Sequence, residues 1–364
     1  MRKAFSVVLM AAALLLSSAT LYETGNGYCV LFPQNGRDMF GVEQRNVFLL
    51  SENQVSLIPQ VAFEGNARDF GVLIPVPSLP KLASADAGIF SQLSFMTQPL
   101  VRSRNDGCGC DGETNVVSPA FATMREDGAV VDTRDSGVDL VFEQLVGMYQ
   151  AAVLQAGNAA DLAEWLQRNG YNYRAQDSLA LQDYVERNWY FVAMRLDTAQ
   201  VSGYIGGWWG ATTTPAEITF AANPDSILYP LSVTAISTQR SADVLVYAIG
   251  DKPLRFEQAR LEYANAITPD EYDAIERNWP AVADVLRPGQ FVTKLRRKFR
   301  KDEMDRDFVV YSVADRREYR EIIYQDSGGF GFAALVLFVF AIRLFRDEKT
   351  KGRIRPGVPG AVGD

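Results

Sequence analysis

The chain has 364 residues, 48% of them hydrophobic and 22% charged, with 44 acidic against 36 basic side chains, three cysteines and no histidine. That composition is globular and excludes a disordered chain, a collagen-like repeat and a disulfide-dense miniprotein. The missing histidine excludes Ser-His-Asp and Cys-His nucleophiles, imidazole acid-base chemistry and histidine metal ligands. Carboxylate, lysine, tyrosine or thiolate chemistry remains, or none.

Arg2 and Lys3 precede the uncharged apolar run Ala4 to Leu16, and Ser17-Ser18-Ala19 supplies the small residues of a cleavage site. Residues 1–19 are therefore expected to be a secretory signal peptide. A retained anchor is the competing reading, but thirteen apolar residues fall short of the roughly twenty that a span needs.

From Arg45 to Pro80 the expectation is strands and turns. Val47 to Leu50, Val55 to Ile58, Val61 to Phe63 and Phe70 to Ile74 are rich in β-branched and aromatic residues. Pro75, Pro77 and Pro80 stop the last of them. Asp86 to Met96 fits a short helix with Ile89, Leu93 and Met96 on one face.

A glycine-rich loop follows, Asn105 to Glu113, and carries Cys108 and Cys110. In an oxidising compartment the economical pairing is a bridge from Cys29 to Cys108 or Cys110, because a Cys-Gly-Cys ring is strained. A thiol redox pair and a three-thiolate metal site are the sharper alternatives. Neither spacing is specific, so no metal and no cofactor are assigned.

Val138 to Leu154 reads as strand broken near Gly147. A helix capped by Asn158 and ended by Gly170 comes next, with Leu162, Trp165 and Leu166 as its apolar stripe. Ser178 to Asn188 is expected to be a second helix, and Trp189 to Leu196 a strand with Tyr190, Val192 and Met194 on one face. Ile218 to Ala221, Leu231 to Ile236 and Val244 to Ile249 are expected strands. Thr268-Pro269-x-Glu271 opens a helix running to about Leu286 that Pro280 must kink or divide. Strands around Phe291 to Leu295 and Phe308 to Ser312 complete the fold.

Ser327 to Ile342 carries no charge, and Leu344 and Phe345 extend the run past Arg343. As a helix, Ser327 to Phe345 covers roughly 28 Å, close to a bilayer core of about 30 Å. Arg343, Arg346, Lys349, Lys351, Arg353 and Arg355 form a cytoplasmic flank. A single span over 327–345 is expected, with a basic tail over 346–364 inside. With two basic groups removed at the start, and six basic and three acidic at the end, 28 basic and 41 acidic groups stay outside, a net of −13. So acidic an exterior disfavours nucleic acid as a partner.

Four segments occur in order: Gly65-x4-Phe70-x3-Ile74-Pro75-Val76-Pro77-Ser78-x-Pro80, Leu162-x2-Trp165-Leu166-x3-Gly170-Tyr171, Tyr184-x5-Tyr190-Phe191-Val192-Ala193-Met194, and Val292-Thr293-Lys294-Leu295-Arg296. Together they resemble the bacterial family called domain of unknown function 2330, over approximately Tyr28 to Ile323. The resemblance implies an exported, often membrane-anchored protein with one integrated domain. It supplies no catalytic residue.

Two further candidate sites stand out. Tyr204, Trp208 and Trp209 sit in a glycine-rich link, where exposed rings could stack on a sugar or grip a partner; alternatively the loop folds back and the rings cap the core. Lys294, Arg296, Arg297, Lys298, Arg300 and Lys301 form a basic run followed at once by Asp302, Glu303, Asp305 and Asp307. A solvated, salt-bridged face is the expectation, with contact to anionic lipid headgroups beside the anchor as the alternative.

The whole reads as a largely antiparallel α+β ectodomain over 20–326, with several helices, held by one transmembrane helix in a bacterial cytoplasmic membrane and facing the periplasm or the exterior. The expected role is non-catalytic, binding an envelope protein or glycan or serving structurally. The competing classes are a carboxylate-based hydrolase of envelope polysaccharide and a thiol redox protein.

Overall fold

A computed structural model describes residues 30–33, 39–65, 70–103, 134–135, 137–147, 149–171, 179–196, 211–212, 215–238 and 240–325. The chain divides into two compact units. The first comprises residues 1–99 and 116–321, and the second residues 100–115 and 322–364.

In chain order the strands begin with β1 (Val30–Pro33), β2 (Met39–Leu50), β3 (Gln54–Gly65), β4 (Phe70–Val76), β5 (Lys81–Ser84), β6 (Leu100–Ser103) and β7 (Arg134–Asp135). They continue with β8 (Val138–Val146), β9 (Tyr149–Ala156), β10 (Tyr190–Leu196), β11 (Ala211–Thr212), β12 (Ala216–Ala221), β13 (Ser226–Tyr229) and β14 (Ser241–Gly250). The last are β15 (Leu254–Arg255), β16 (Arg260–Ala266), β17 (Phe291–Arg300), β18 (Phe308–Ser312), β19 (Tyr319–Arg320) and β20 (Ile322–Gln325). The helices are α1 (Ile89–Met96), α2 (Ala159–Arg168), α3 (Leu179–Glu186), α4 (Leu231–Thr234), α5 (Pro269–Asn278) and α6 (Pro280–Ala283).

Two large sheets of the first unit face each other. The six-stranded one has the order β1-β4-β10-β9-β8-β7, and the other runs β19-β16-β17-β14-β2-β3-β12-β5 with β11 also beside β3. Pairing is antiparallel throughout these sheets except for β14 beside β2. The main core lies between them: Phe48, Val55 and Leu57 meet Val72, Ile74, Val153, Val192, Met194, Val244 and Val246. A small sheet, β13-β18-β15, adds Ile227, Tyr229, Leu254 and Val310 to that core.

Each large sheet is covered on its outer face as well. Leu73, Leu154, Phe191 and Ala193 of the six-stranded sheet pack under Leu162, Leu166, Leu181 and Tyr184 of α2 and α3. Leu245, Tyr247, Ile249 and Val292 of the other pack under Phe90 and Leu93 of α1 and Ile275 and Val282 of α5 and α6. The first unit is thus layered helix, sheet, sheet, helix. An antiparallel sheet commonly leaves one face wet and alternates; here both faces are covered, which is why β4, β10 and β14 read as nearly unbroken apolar runs.

Local signals act where they were expected. The Asn158 side chain accepts from the Asp161 N–H at 2.9 Å and starts α2, and Gly170 at φ +83° ends it. Thr268 and Glu271 form a reciprocal capping box at α5, and Pro280 separates α5 from α6. Gly147 at φ +58° is the break between β8 and β9.

One expected strand is overturned. Leu231 to Ile236 does not extend; Leu231–Thr234 is helix α4. Its β-branched composition fits a strand, but the Asp307 carboxylate takes the Ser232 N–H at 3.0 Å, and a turn lets Leu231 enter the main core while Val233 enters the helix-covered one. The strand expected over Phe291 to Leu295 is also longer, running to Arg300.

Among the described residues no helix is long and apolar enough to cross a membrane. The segments 1–19, 327–345 and 346–364 lie outside the described residues, as do Cys29, Cys108, Cys110, Tyr204, Trp208 and Trp209.

Candidate functional site

The basic run is the candidate site within the described residues, and the pleat of β17 divides it. Leu295 and Phe299 point into the main core, so Lys294, Arg296 and Lys298 share the outer face by the two-residue period of a strand. The partner strands set what they meet. Tyr247, Leu245 and Asp243 of β14 lie opposite Lys294, Arg296 and Lys298. On the other side, β16 carries a bulge between Leu261 and Tyr263, which keeps both Glu262 and Tyr263 on the outer face while Leu261 packs inward.

Glu262 therefore faces two cations. Its Oε2 lies 3.0 Å from Lys294 Nζ and its Oε1 lies 3.0 Å from Arg296 Nε. Arg296 Nη1 also donates to Asp243 Oδ2 at 2.8 Å. The Lys294 and Glu262 side chains are 8% and 10% exposed, against 31% for Arg296, so the chain of charges runs from the covered sheet face outward. Lys294 Nζ also stands 5.8 Å from the Tyr247 ring centroid. Burial pushes the Tyr247 phenol above its ordinary value, opposed by Arg45, the hydroxyls of Ser94 and Thr97, and Arg296.

The remaining members of the run are placed differently. Arg297 donates to the Glu257 carbonyl at 2.8 Å, pairs with Glu303 at 3.3 Å and lies 4.2 Å above the Phe299 ring. Arg300 pairs with Asp302 at 3.0 Å, and Lys301 Nζ donates to the Thr238 carbonyl at 2.7 Å. Lys298 and Arg300 are exposed.

A second polar constellation went unrecognised in the sequence. Asp307 accepts from Tyr184 Oη at 2.8 Å, and from Ser232 Oγ at 2.8 Å and Ser232 N at 3.0 Å. Tyr184, Ser232 and Asp307 come from α3, α4 and the start of β18, separated by 48 and 75 residues. No local pattern announces such a meeting; the nearest signal is an acid just before a strand.

The chemistry available here is that of a charged framework. Glu262 and Asp307 are acceptors with their oxygens engaged. Asp225, Asp302, Glu303 and Asp315 are all held below the ordinary carboxylate value, each first by a hydrogen bond: to Lys252, Arg300, the Arg300 N–H and Arg317 respectively. Among the described residues no three Cys, Asp or Glu gather as a metal site.

No curated protein matches the chain. Among solved structures, a mutated baculovirus P35 after caspase cleavage is similar at 7% identity, over 76% of this chain and 98% of that one, with a TM-score of 0.29. So low a score carries no argument for fold or function. A family profile described as an uncharacterized protein conserved in bacteria matches residues 24–312, the greater part of the chain and the whole of both constellations. The chain belongs to this bacterial family, DUF2330.

Proposed function

We propose that the chain is an exported protein, tethered by Ser327–Phe345 to the bacterial cytoplasmic membrane, whose folded part is a non-catalytic binding or structural module of the envelope. The observation that supports this is the state of the acids. Glu262, buried, spends its two oxygens on Lys294 and Arg296, and Asp307 accepts from Tyr184 and Ser232. A general acid needs the reverse of the Glu262 arrangement, a buried carboxyl without a compensating cation. The headgroup role of the basic run falls in this reading to Lys298 and Arg300 because they are exposed, whereas Lys294 is buried against Glu262 under the covered sheet face.

The anchor and the exported topology rest on the sequence at the two ends, and the strongly acidic exterior beside a basic tail agrees with them. Fractionation of cells expressing the full chain, followed by protease treatment of intact spheroplasts, tests this directly. The expected outcome is a carbonate-resistant membrane protein whose folded part is digested from outside. Recovery in the cytosol overturns it. In-cell crosslinking of that chain is then expected to capture an envelope protein or glycan, whereas polysaccharide hydrolysis by the purified chain overturns the non-catalytic reading.

A further inference from the structure

The second unit contains a two-stranded parallel sheet whose composition does not suit water. β6 and β20 pair Leu100 with Ile322, Val101 with Ile323 and Tyr324 with Arg102. Leu100, Val101, Ile322, Ile323 and Tyr324 are exposed by 40%, 59%, 37%, 41% and 54%. Alternation puts Leu100, Arg102, Ile322 and Tyr324 on one face. Two short strands are not stable alone in water, and the exposed Leu100, Ile322 and Tyr324 side by side on this face call for a cover.

We infer that this face, Leu100, Arg102, Ile322 and Tyr324, docks on the lipid surface of the membrane that holds the anchor, at the boundary between headgroups and acyl chains. The inference rests on the reading of Ser327–Phe345 as a span. Its argument is covalent reach: Tyr324 stands three residues before Ser327, so its Cα lies within about 11 Å of the start of that segment whatever path the chain takes. The side chains are those of an interface. A tyrosine presents an apolar ring and a wet hydroxyl, an arginine reaches phosphates while its stem lies on apolar surface, and leucine and isoleucine bury hydrocarbon. Pairing with β20 sets Arg102 beside Tyr324 and Leu100 beside Ile322, five residues before Ser327, although more than two hundred residues separate the strands in sequence.

The experiment places a tryptophan in the full chain, reconstituted in vesicles of phosphatidylcholine and phosphatidylglycerol with or without brominated acyl chains. Emission of the unsubstituted chain is subtracted. Leu100→Trp is the probe because its sequence neighbours do not enter the anchor; Phe338→Trp reports the anchor itself, and the exposed Leu179→Trp of α3 is the reference. The expected result is a roughly twofold loss of the added emission for Leu100→Trp and Phe338→Trp, with none for Leu179→Trp, as for a ring at the interface. Quenching of Phe338→Trp without Leu100→Trp overturns the docking and leaves the anchor standing. Equal quenching of Leu179→Trp also overturns it, and no quenching of Phe338→Trp overturns both.

Discussion

Lys294 Nζ lies 3.0 Å from Glu262 Oε2, with the two side chains only 8% and 10% exposed. A charge pair so far out of water is held by its partner, since each ion alone carries an uncompensated desolvation cost. Glu262→Ala is accordingly expected to destabilise the full chain by about 3–5 kcal/mol, read as a lower urea midpoint at unchanged slope. The double change Lys294→Met with Glu262→Leu should cost much less, because no buried charge is left alone. Equal losses in the two would show that the pair does not act as a unit.

Gly71 of β4 lies under the Tyr171 ring, and a Cβ at this glycine would overlap it. Burial places Tyr171 firmly in the helix-covered core and pushes its phenol well above the ordinary value. Gly71→Ala is expected to cost about 1–3 kcal/mol by overpacking. Adding Tyr171→Leu should recover part of that, so the two losses measured by thermal denaturation will be smaller together than summed. Simple additivity would place the cost of Gly71→Ala elsewhere.

Asp307 holds α3 and α4 at one point through Tyr184 and Ser232. Asp307→Ala leaves their donors without this acceptor and should destabilise by about 1–3 kcal/mol. Tyr184→Phe in the Asp307→Ala background is expected to add little to that. A full additional loss would mean that the tyrosine hydroxyl works independently of Asp307.

Asp315 is held near pH 2 by hydrogen bonds from the Arg317 side chain and N–H. Its folded value is below its unfolded one, so its contribution is complete above about pH 4 and disappears as pH falls towards 2. Carbon-detected NMR titration should find the Asp315 carboxyl midpoint near 2, and Arg317→Ala should move it up towards the ordinary aspartate value. An unmoved midpoint would remove Arg317 as the cause.

Much of the secondary structure is a local matter and was legible. Asn158 and Thr268 cap their helices by accepting from backbone N–H groups three positions on, Gly170 and Gly147 supply positive φ, and Pro280 cannot continue a helix. Leu231 to Ile236 misled because propensity weighs the segment alone, whereas the deciding contact comes from Asp307, 75 residues from Ser232.

What the sequence by itself determined is the capped helices and many of the strands, though neither α4 nor β16, together with the family, the imbalance of charge and the absence of imidazole chemistry, all functions of neighbouring residues or of composition. The tertiary structure decided which charges meet. The basic run is contiguous along the chain, yet the pleat of β17 sends Arg297 and Lys294 to opposite faces, and a bulge in β16 brings Glu262 beside Lys294 and Arg296. Strand register joins residues tens of positions apart, and burial then converts an ordinary acid and base into a pair that neither can leave without cost.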